Sequence, residues 1–264
     1  MFAAPRCAGV FTAGSTRLPL QGRRIVVTRP REQAAELVEA LEALGADVAT
    51  VPLVSIEPVE DERSLAAALR ELDAYAWVIF TSANGVAAVE RALPGVSFAG
   101  AKIAAVGPAT ADAVQGLGVD PSFVPDVYAA EEIAAGLGPL EGVRILLVQA
   151  DIASPSLAEE LRGRGAKLDT IVAYRTVEAK PSAAEIEALE RGADAIVLAS
   201  GSAARCLAGL GLRSGTAETQ LVSIGPKTAE AAREAGLRVG LVAHEATAEG
   251  IIHALVSHFE ERVQ

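Results

Sequence analysis

The chain has 264 residues, 51% of them hydrophobic and only 4% aromatic, with a formal net charge of −11. That length can bury a sizeable core and suits two domains of roughly 100–130 residues each. The hydrophobic share excludes a disordered chain, and the acidic balance argues against nucleic acid, which needs clustered Lys and Arg. No apolar run approaches the roughly 18 residues of a membrane span. Cys7 and Cys206 form neither a metal spacing nor a disulfide framework, as expected in a reduced, cytoplasmic compartment.

In chain order, residues 1–22 lack Asp and Glu and carry Arg6 and Arg17. They read as a flexible extension, with an organelle transit peptide as the alternative. Beyond them, short apolar runs alternate with helix-period stretches, the signature of an α/β, doubly wound parallel sheet. Strands are predicted over 24–27, 48–51, 77–80, 102–106, 122–124, 144–148, 167–172, 195–198, 220–224 and 239–242, five for each of two lobes. After the first strand, Ala34, Leu37, Leu41 and Leu44 share one helical face, which Gly45 ends as a C′ residue; Gly165 repeats that stop. Residues 53–57 and 173–178 run from apolar to polar, flanked by Pro58 and Pro181, and read as connecting strands. Trp77 is assigned to the core, and His244, His253 and His258 to the solvated surface, with no nucleophile or metal spacing around them.

The chain repeats itself. Val106-Gly107-Pro108-Ala109-Thr110-Ala111 recurs as Ile224-Gly225-Pro226-Lys227-Thr228-Ala229, 118 residues on, and the same offset carries Ser82 onto Ser200 and Gly118 onto Gly236. Earlier segments match at an offset of 120, with Arg24-Ile25-Val26-Val27 against Arg144-Ile145-Leu146-Leu147. A period this long excludes solenoids and propellers, and each copy reads as one α/β unit.

In parallel sheets ligands bind beyond the carboxyl ends of the strands. Here those positions hold Thr28-Arg29-Pro30, Thr81-Ser82-Ala83-Asn84-Gly85, Gly107-Pro108-Ala109-Thr110, Ser200-Gly201-Ser202 and Gly225-Pro226-Lys227-Thr228, nearly all small, hydroxylated or glycine. Such loops let a ligand approach the backbone, and the first amides of the following helix favour an anion by about 0.3–1 kcal/mol per exposed terminus. Several converging termini are then needed to hold a polycarboxylate. The competing account is that Ser, Thr and Asn are ordinary N-caps and Pro an ordinary first helical residue. It explains each loop singly, but less readily why both copies keep Gly-Pro-x-Thr-Ala after a strand.

Tyr174 is the one titratable hydroxyl in the connecting segments, able to donate a proton to a leaving oxygen or to fill an inter-lobe gap. Arg29 is the cation best placed at a strand end, followed by Lys227. No GxGxxG turn, GxxxxGK[ST] loop or paired-cysteine motif is present, which leaves a reaction without cofactor or metal.

Taken in order, Val27-Thr28-Arg29-Pro30, Phe80-Thr81-Ser82-Ala83-Asn84-Gly85-Val86, Ala105-Val106-Gly107-Pro108-Ala109-Thr110-Ala111, Ala173-Tyr174-Arg175-Thr176 and Ser223-Ile224-Gly225-Pro226-Lys227-Thr228-Ala229 resemble uroporphyrinogen-III synthases from Arg23 onward. The resemblance implies two flavodoxin-like lobes joined by a two-stranded β-ladder: residues 23–53 with 181–264 as lobe 1, 59–172 as lobe 2, and 54–58 with 173–180 as the ladder. It implies a hydro-lyase that cyclises hydroxymethylbilane to uroporphyrinogen III. The substrate loses its hydroxyl to give an azafulvene, ring D is inverted through a spiro intermediate, and the macrocycle closes.

It further makes Tyr174 the residue assisting hydroxyl departure and Thr228 a substrate contact. The expected state is a cofactor-free cytoplasmic monomer, with room for hand-over from hydroxymethylbilane synthase. Because the substrate also closes spontaneously to the uninverted isomer, steering matters: a 100-fold preference needs only about 2.7 kcal/mol between transition states. Two loops depart from the family pattern, Val148-Gln149-Ala150-Asp151 and Leu198-Ala199-Ser200-Gly201. The rival reading is a non-catalytic two-lobed binding protein that closes on a small carboxylate; a structural scaffold is a weaker third.

Overall fold

The computed structural model describes residues 17–60, 63–98, 100–126, 130–211 and 219–261. The chain runs β1 (Arg24–Val27), α1 (Arg31–Ala43), β2 (Asp47–Thr50), β3 (Val54–Pro58), α2 (Arg63–Arg70), β4 (Trp77–Phe80), α3 (Ala83–Ala92), β5 (Lys102–Ala105), α4 (Pro108–Gly116) and α5 (Ala130–Gly136). It continues with β6 (Arg144–Ala150), α6 (Ser156–Gly163), β7 (Lys167–Glu178), α7 (Ala183–Glu190), β8 (Ala195–Leu198), α8 (Gly201–Gly209), β9 (Gln220–Ser223), α9 (Pro226–Glu234), β10 (Val239–Val242) and α10 (Ala248–Glu261).

The strands build two sheets, β10-β9-β8-β1-β2 and β3-β7-β6-β4-β5, parallel throughout except for the antiparallel β3–β7 pair. Both faces of each sheet are covered, so the central strands are uninterrupted apolar runs. Alternation then sends their residues to opposite sides. Ile25, Val27 and Val197 pack with α1 and α10, whereas Val26, Ile196 and Leu198 pack with α8 and α9. In the other lobe Val78, Phe80 and Val148 meet α2, α3 and α4, while Trp77, Ile79 and Leu147 meet α5 and α6.

The repeat is not the lobe. At the repeat offsets β1, β2, β8, β9 and β10 correspond to β6, β7, β4, β5 and Phe123, so each sheet takes strands from both copies and the two sheets share one strand order. Two equivalent units that exchange strands bury the same apolar area as two that do not, so the repeat alone left each copy looking like a unit of its own. The ladder joins equivalent segments: β3 pairs antiparallel with the end of β7, in register Val54↔Glu178, Ile56↔Thr176 and Pro58↔Tyr174. Ile56 and Thr176 occupy equivalent places in the two copies, so a local pseudo-twofold passes through that pair.

Several predicted elements shift. Residues 122–124 form no strand, only an isolated bridge between Phe123 and Ala104. Pro121 and Pro125 enclose this segment, and proline supplies no ladder N–H. Of the expected extension over 1–22, residues 1–16 lie outside the described residues, but Leu20 is fully buried beside α1 and its N–H donates to Leu44 O at 2.9 Å. The packed chain therefore begins before Arg23. His258 is half-buried with its ring edge-on to Phe259, not a surface side chain. Gly45 and Gly165 follow α1 and α6 with φ of 92° and 85°, the left-handed conformation expected of C′ glycines. Among the described residues no helix is long and apolar enough to cross a membrane.

Candidate active site

Among the parallel strands of each sheet the chain order reverses once, between β8 and β1 in one lobe and between β4 and β6 in the other. The loops after these four strands, together with the ladder, enclose a cavity of about 410 Å³, within the span of roughly 300–1,000 Å³ usual for small-molecule sites. The location follows the general rule for open α/β sheets, applied at two switch points facing each other.

Eight of the expected site residues come together in its wall: Thr28, Arg29, Thr81, Ser82, Asn84, Tyr174, Ser200 and Ser202. Thr28 and Thr81 use their hydroxyl protons on the fold. Thr28 Oγ1 donates to Val197 O at 2.7 Å and Thr81 Oγ1 to Val148 O at 3.2 Å, tying neighbouring strands at each switch point. Ser82 and Ser200 are matched N-caps, accepting from Gly85 N at 3.2 Å and Ala203 N at 3.1 Å. In both helices the remaining first-turn amides have no intrahelical partner.

Gly85 and Gly201 stand within these caps without lining the cavity. A Cβ on Gly85 would approach the Val148 side chain to 3.3 Å, and one on Gly201 would meet Ala231 Cβ of α9 at 2.9 Å. Gly201 thus serves the approach of two helices. Gly107 with Thr110, and Gly225 with Lys227 and Thr228, start α4 and α9 one strand further out, beyond the cavity wall. Thr110 and Thr228 are buried there.

A β-bulge aims Tyr174. Opposite β6 the register runs Gln149↔Val172 and then Ala150↔Tyr174, leaving Ala173 as an extra residue. An inserted residue breaks the alternation of a strand and redirects the side chains beyond it. Ala173 and Tyr174 are accordingly both buried in the same cluster, while Val172 and Arg175 on either side are exposed. The Tyr174 hydroxyl lies 2.8 Å from Ser82 Oγ. Burial pushes its phenol above the ordinary tyrosine value; hydrogen bonding with Ser82 and Asn84 opposes the shift and the Asp151 charge adds to it. A raised value keeps the group protonated at neutral pH.

Among the described residues lining the cavity Arg29 is the one that is charged, in a chain of net charge −11. It makes no ion pair with a described carboxylate. Burial lowers its guanidinium below the ordinary value, with Glu36 opposing. A half-desolvated cation without a close partner is suited to a ligand carboxylate.

Sequence reasoning missed Gln33, the apolar ladder residues Val54 and Ile56, Thr176, and Ile152, which is 52% exposed at the rim. Gln33 Nε2 donates to Asn84 Oδ1 at 2.7 Å, from α1 of one lobe to α3 of the other. The available signal was its place in the first helical turn after Thr28-Arg29-Pro30, a loop already singled out. The departing loop at 148–151 also contributes, through Ala150, and Ala153 joins the wall just beyond it. Asp151 Oδ1 accepts from Thr176 N at 2.9 Å, extending the contact of this loop with the ladder.

The family model for Uroporphyrinogen-III synthase HemD matches residues 35–253. The chain belongs to the uroporphyrinogen-III synthase family. The Uroporphyrinogen-III synthase of Synechococcus elongatus is 27% identical over 252 residues, covering 90% of this chain and 96% of that protein. The Porphyrin biosynthesis protein HemD of Ruminiclostridium josui is 30% identical over 251 residues and 90% of this chain, which spans about half, 49%, of that relative's length. Among solved structures, a mutant uroporphyrinogen III synthase of Thermus thermophilus matches with TM-score 0.61 at 22% identity, covering 91% of this chain and 99% of that one. The uroporphyrinogen-III synthetase of Helicobacter pylori matches with TM-score 0.61 at 20% identity, covering 89% and 99%. These likenesses establish the two-lobed fold of uroporphyrinogen-III synthases. Membership in an enzyme family of porphyrin biosynthesis disfavours the non-catalytic binding-protein reading.

Proposed function

We infer that the chain cyclises hydroxymethylbilane to uroporphyrinogen III with inversion of ring D. The observation that carries this reading is the buried phenol of Tyr174, 2.8 Å from Ser82 Oγ at the junction of lobe and ladder, inside a cleft where Arg29 is the one charged residue among the described lining. Tyr174 donates its proton as the terminal C–O bond breaks; the hydroxyl leaves as water and the pyrrole nitrogen supplies the electron pair, giving the azafulvene. Ring D attacks the methylene of the protonated azafulvene through its substituted α-carbon to give the spiro intermediate. The bond from that carbon to its original methylene bridge then breaks, that methylene re-bonds at the free α-carbon of ring D, and the proton lost from this carbon restores the phenol. Water is the only by-product, so the reaction needs no cofactor.

Arg29 and the open amides at the starts of α3 and α8 hold carboxylate arms near the reacting end. The Gly107 and Gly225 loops, with Thr110, Lys227 and Thr228, engage arms that extend beyond the cavity. Each such contact is modest, and steering of about 2.7 kcal/mol suffices for a 100-fold preference over spontaneous closure. On this reading lobe 1 comprises residues 23–53 and 181–264, lobe 2 residues 59–172, and the ladder 54–58 with 173–180. The enzyme works as a cytoplasmic monomer, receiving its substrate from hydroxymethylbilane synthase.

The test is the isomer ratio of uroporphyrin, after oxidation, from hydroxymethylbilane incubated with the purified protein and no added cofactor. Predominant type III is expected. Type I alone, with folded protein present, overturns the reading.

A further inference from the structure

The hydrogen bond between Gln33 and Asn84 joins the first turns of two helices that belong to opposite lobes, and both side chains line the cleft with Tyr174. An amide side chain has one accepting and one donating branch. With Asn84 Oδ1 committed to Gln33 Nε2, Nδ2 is the branch left for a neighbour on its own lobe. The Tyr174 hydroxyl is such a neighbour, already 2.8 Å from Ser82 two residues before Asn84. Asn84 acts on that phenol against the larger upward effect of burial, lowering its pKa, and a donor placed on the phenol oxygen acts in that direction. An oxygen that receives a donor there need not use its own proton on Asn84, which leaves that proton for Ser82 Oγ or the cleft. Were the Asn84 amide turned round, Oδ1 would accept that proton and hold it away from substrate.

We propose that Gln33 is a positioning residue for the cleft acid: reaching from one lobe, it fixes the amide of Asn84 on the other, so that Asn84 offers Nδ2 to Tyr174 only while the lobes are closed. The role rests on Tyr174 being the proton donor. It links closure of the cleft to assembly of the acid, so the hydroxyl is lost from substrate only after the lobes have enclosed it and excluded competing water.

The test is steady-state formation of uroporphyrinogen III by the full chain carrying Gln33→Leu or Gln33→Glu, each alone and combined with Tyr174→Phe. Gln33→Leu should lower kcat on the order of 10-fold with KM changed less than about 2-fold, the cost of a misplaced group. Gln33→Glu sets an acceptor against Asn84 Oδ1, turns the amide round and should lose more. In the Tyr174→Phe background both losses should shrink to within about 2-fold, because residues acting through one group are not additive. A raised KM with unchanged kcat would make Gln33 a substrate contact and overturn the positioning role, as would losses carried undiminished into Tyr174→Phe. Wild-type turnover by Tyr174→Phe alone would remove the acid itself, a separate failure from that of Gln33.

Discussion

Ser82 Oγ and Tyr174 OH stand 2.8 Å apart, linking the cap of a helix to the bulged strand that leads out of the same lobe. The contact gives one serine two tasks, because Ser82 Oγ also accepts from Gly85 N at 3.2 Å. Its counterpart Ser200 caps α8 in the same way, accepting from Ala203 N at 3.1 Å.

The pair separates capping from catalysis. Ser82→Ala and Ser200→Ala should each destabilise the protein by about 1 kcal/mol, the usual cost of a lost cap, measured by urea denaturation. Turnover per folded molecule should fall markedly only for Ser82→Ala. Equal turnover in the two variants would show that the Tyr174 contact has no part in the chemistry.

Tyr174→Phe should retain the fold and lower the rate of type III formation by about 10²- to 10⁴-fold, the range of general acid catalysis. Since the phenol of Tyr174 is raised by burial, kcat of the unmodified protein should show no fall from loss of this proton below the ordinary tyrosine value near pH 10. A falling limb near neutrality that disappears in Tyr174→Phe would contradict the assigned direction.

Arg29→Leu should weaken substrate binding by about 10-fold or more while leaving the melting temperature unchanged or higher, because a half-buried guanidinium with no close partner costs desolvation until a ligand arrives. Michaelis constants and thermal melts measured side by side decide this. A large drop in melting temperature with an unchanged KM would make Arg29 structural.

Glu185 tests the electrostatics of a helix start. Backbone and side-chain hydrogen bonds from Ser182 and the ion pair with Arg31 hold its carboxyl below the usual range. A depressed folded value means stability that is complete above the ordinary glutamate pKa and is lost as pH falls through the lower folded one. The stability difference between the unmodified protein and Glu185→Gln should thus be constant near neutrality and close only in acid. A difference that grew toward acid pH would reverse the assignment.

The caps, C′ glycines and strand-end loops were legible because local patterns create them. Gly45 ends α1 with φ of 92°, Ser82 caps α3, and Gly107 precedes Pro108 at the first position of α4, all as their sequences imply. Phe123 shows the limit of such reasoning, since the Phe123–Val124 pair reads as part of a strand until the prolines on either side deny it a ladder. Thr28 and Thr81 show another limit. Both reach the site, yet their protons are already committed to carbonyls of adjacent strands. Gln33 was passed over because its partner, Asn84, lies on the opposite lobe.

By itself the sequence determined that this protein has two equivalent sets of short strands, several of them followed by loops of small and cap-forming residues, because periodicity, glycine and cap residues act over a few neighbouring positions. Only the tertiary structure decided which strands share a sheet, and that β3 and β7 lock the halves through the Ile56–Thr176 pair. It also decided that an extra residue at Ala173 turns Tyr174 toward Ser82. These are properties of pairing between distant segments: register and exchange leave the local pattern unchanged while moving every side chain they carry.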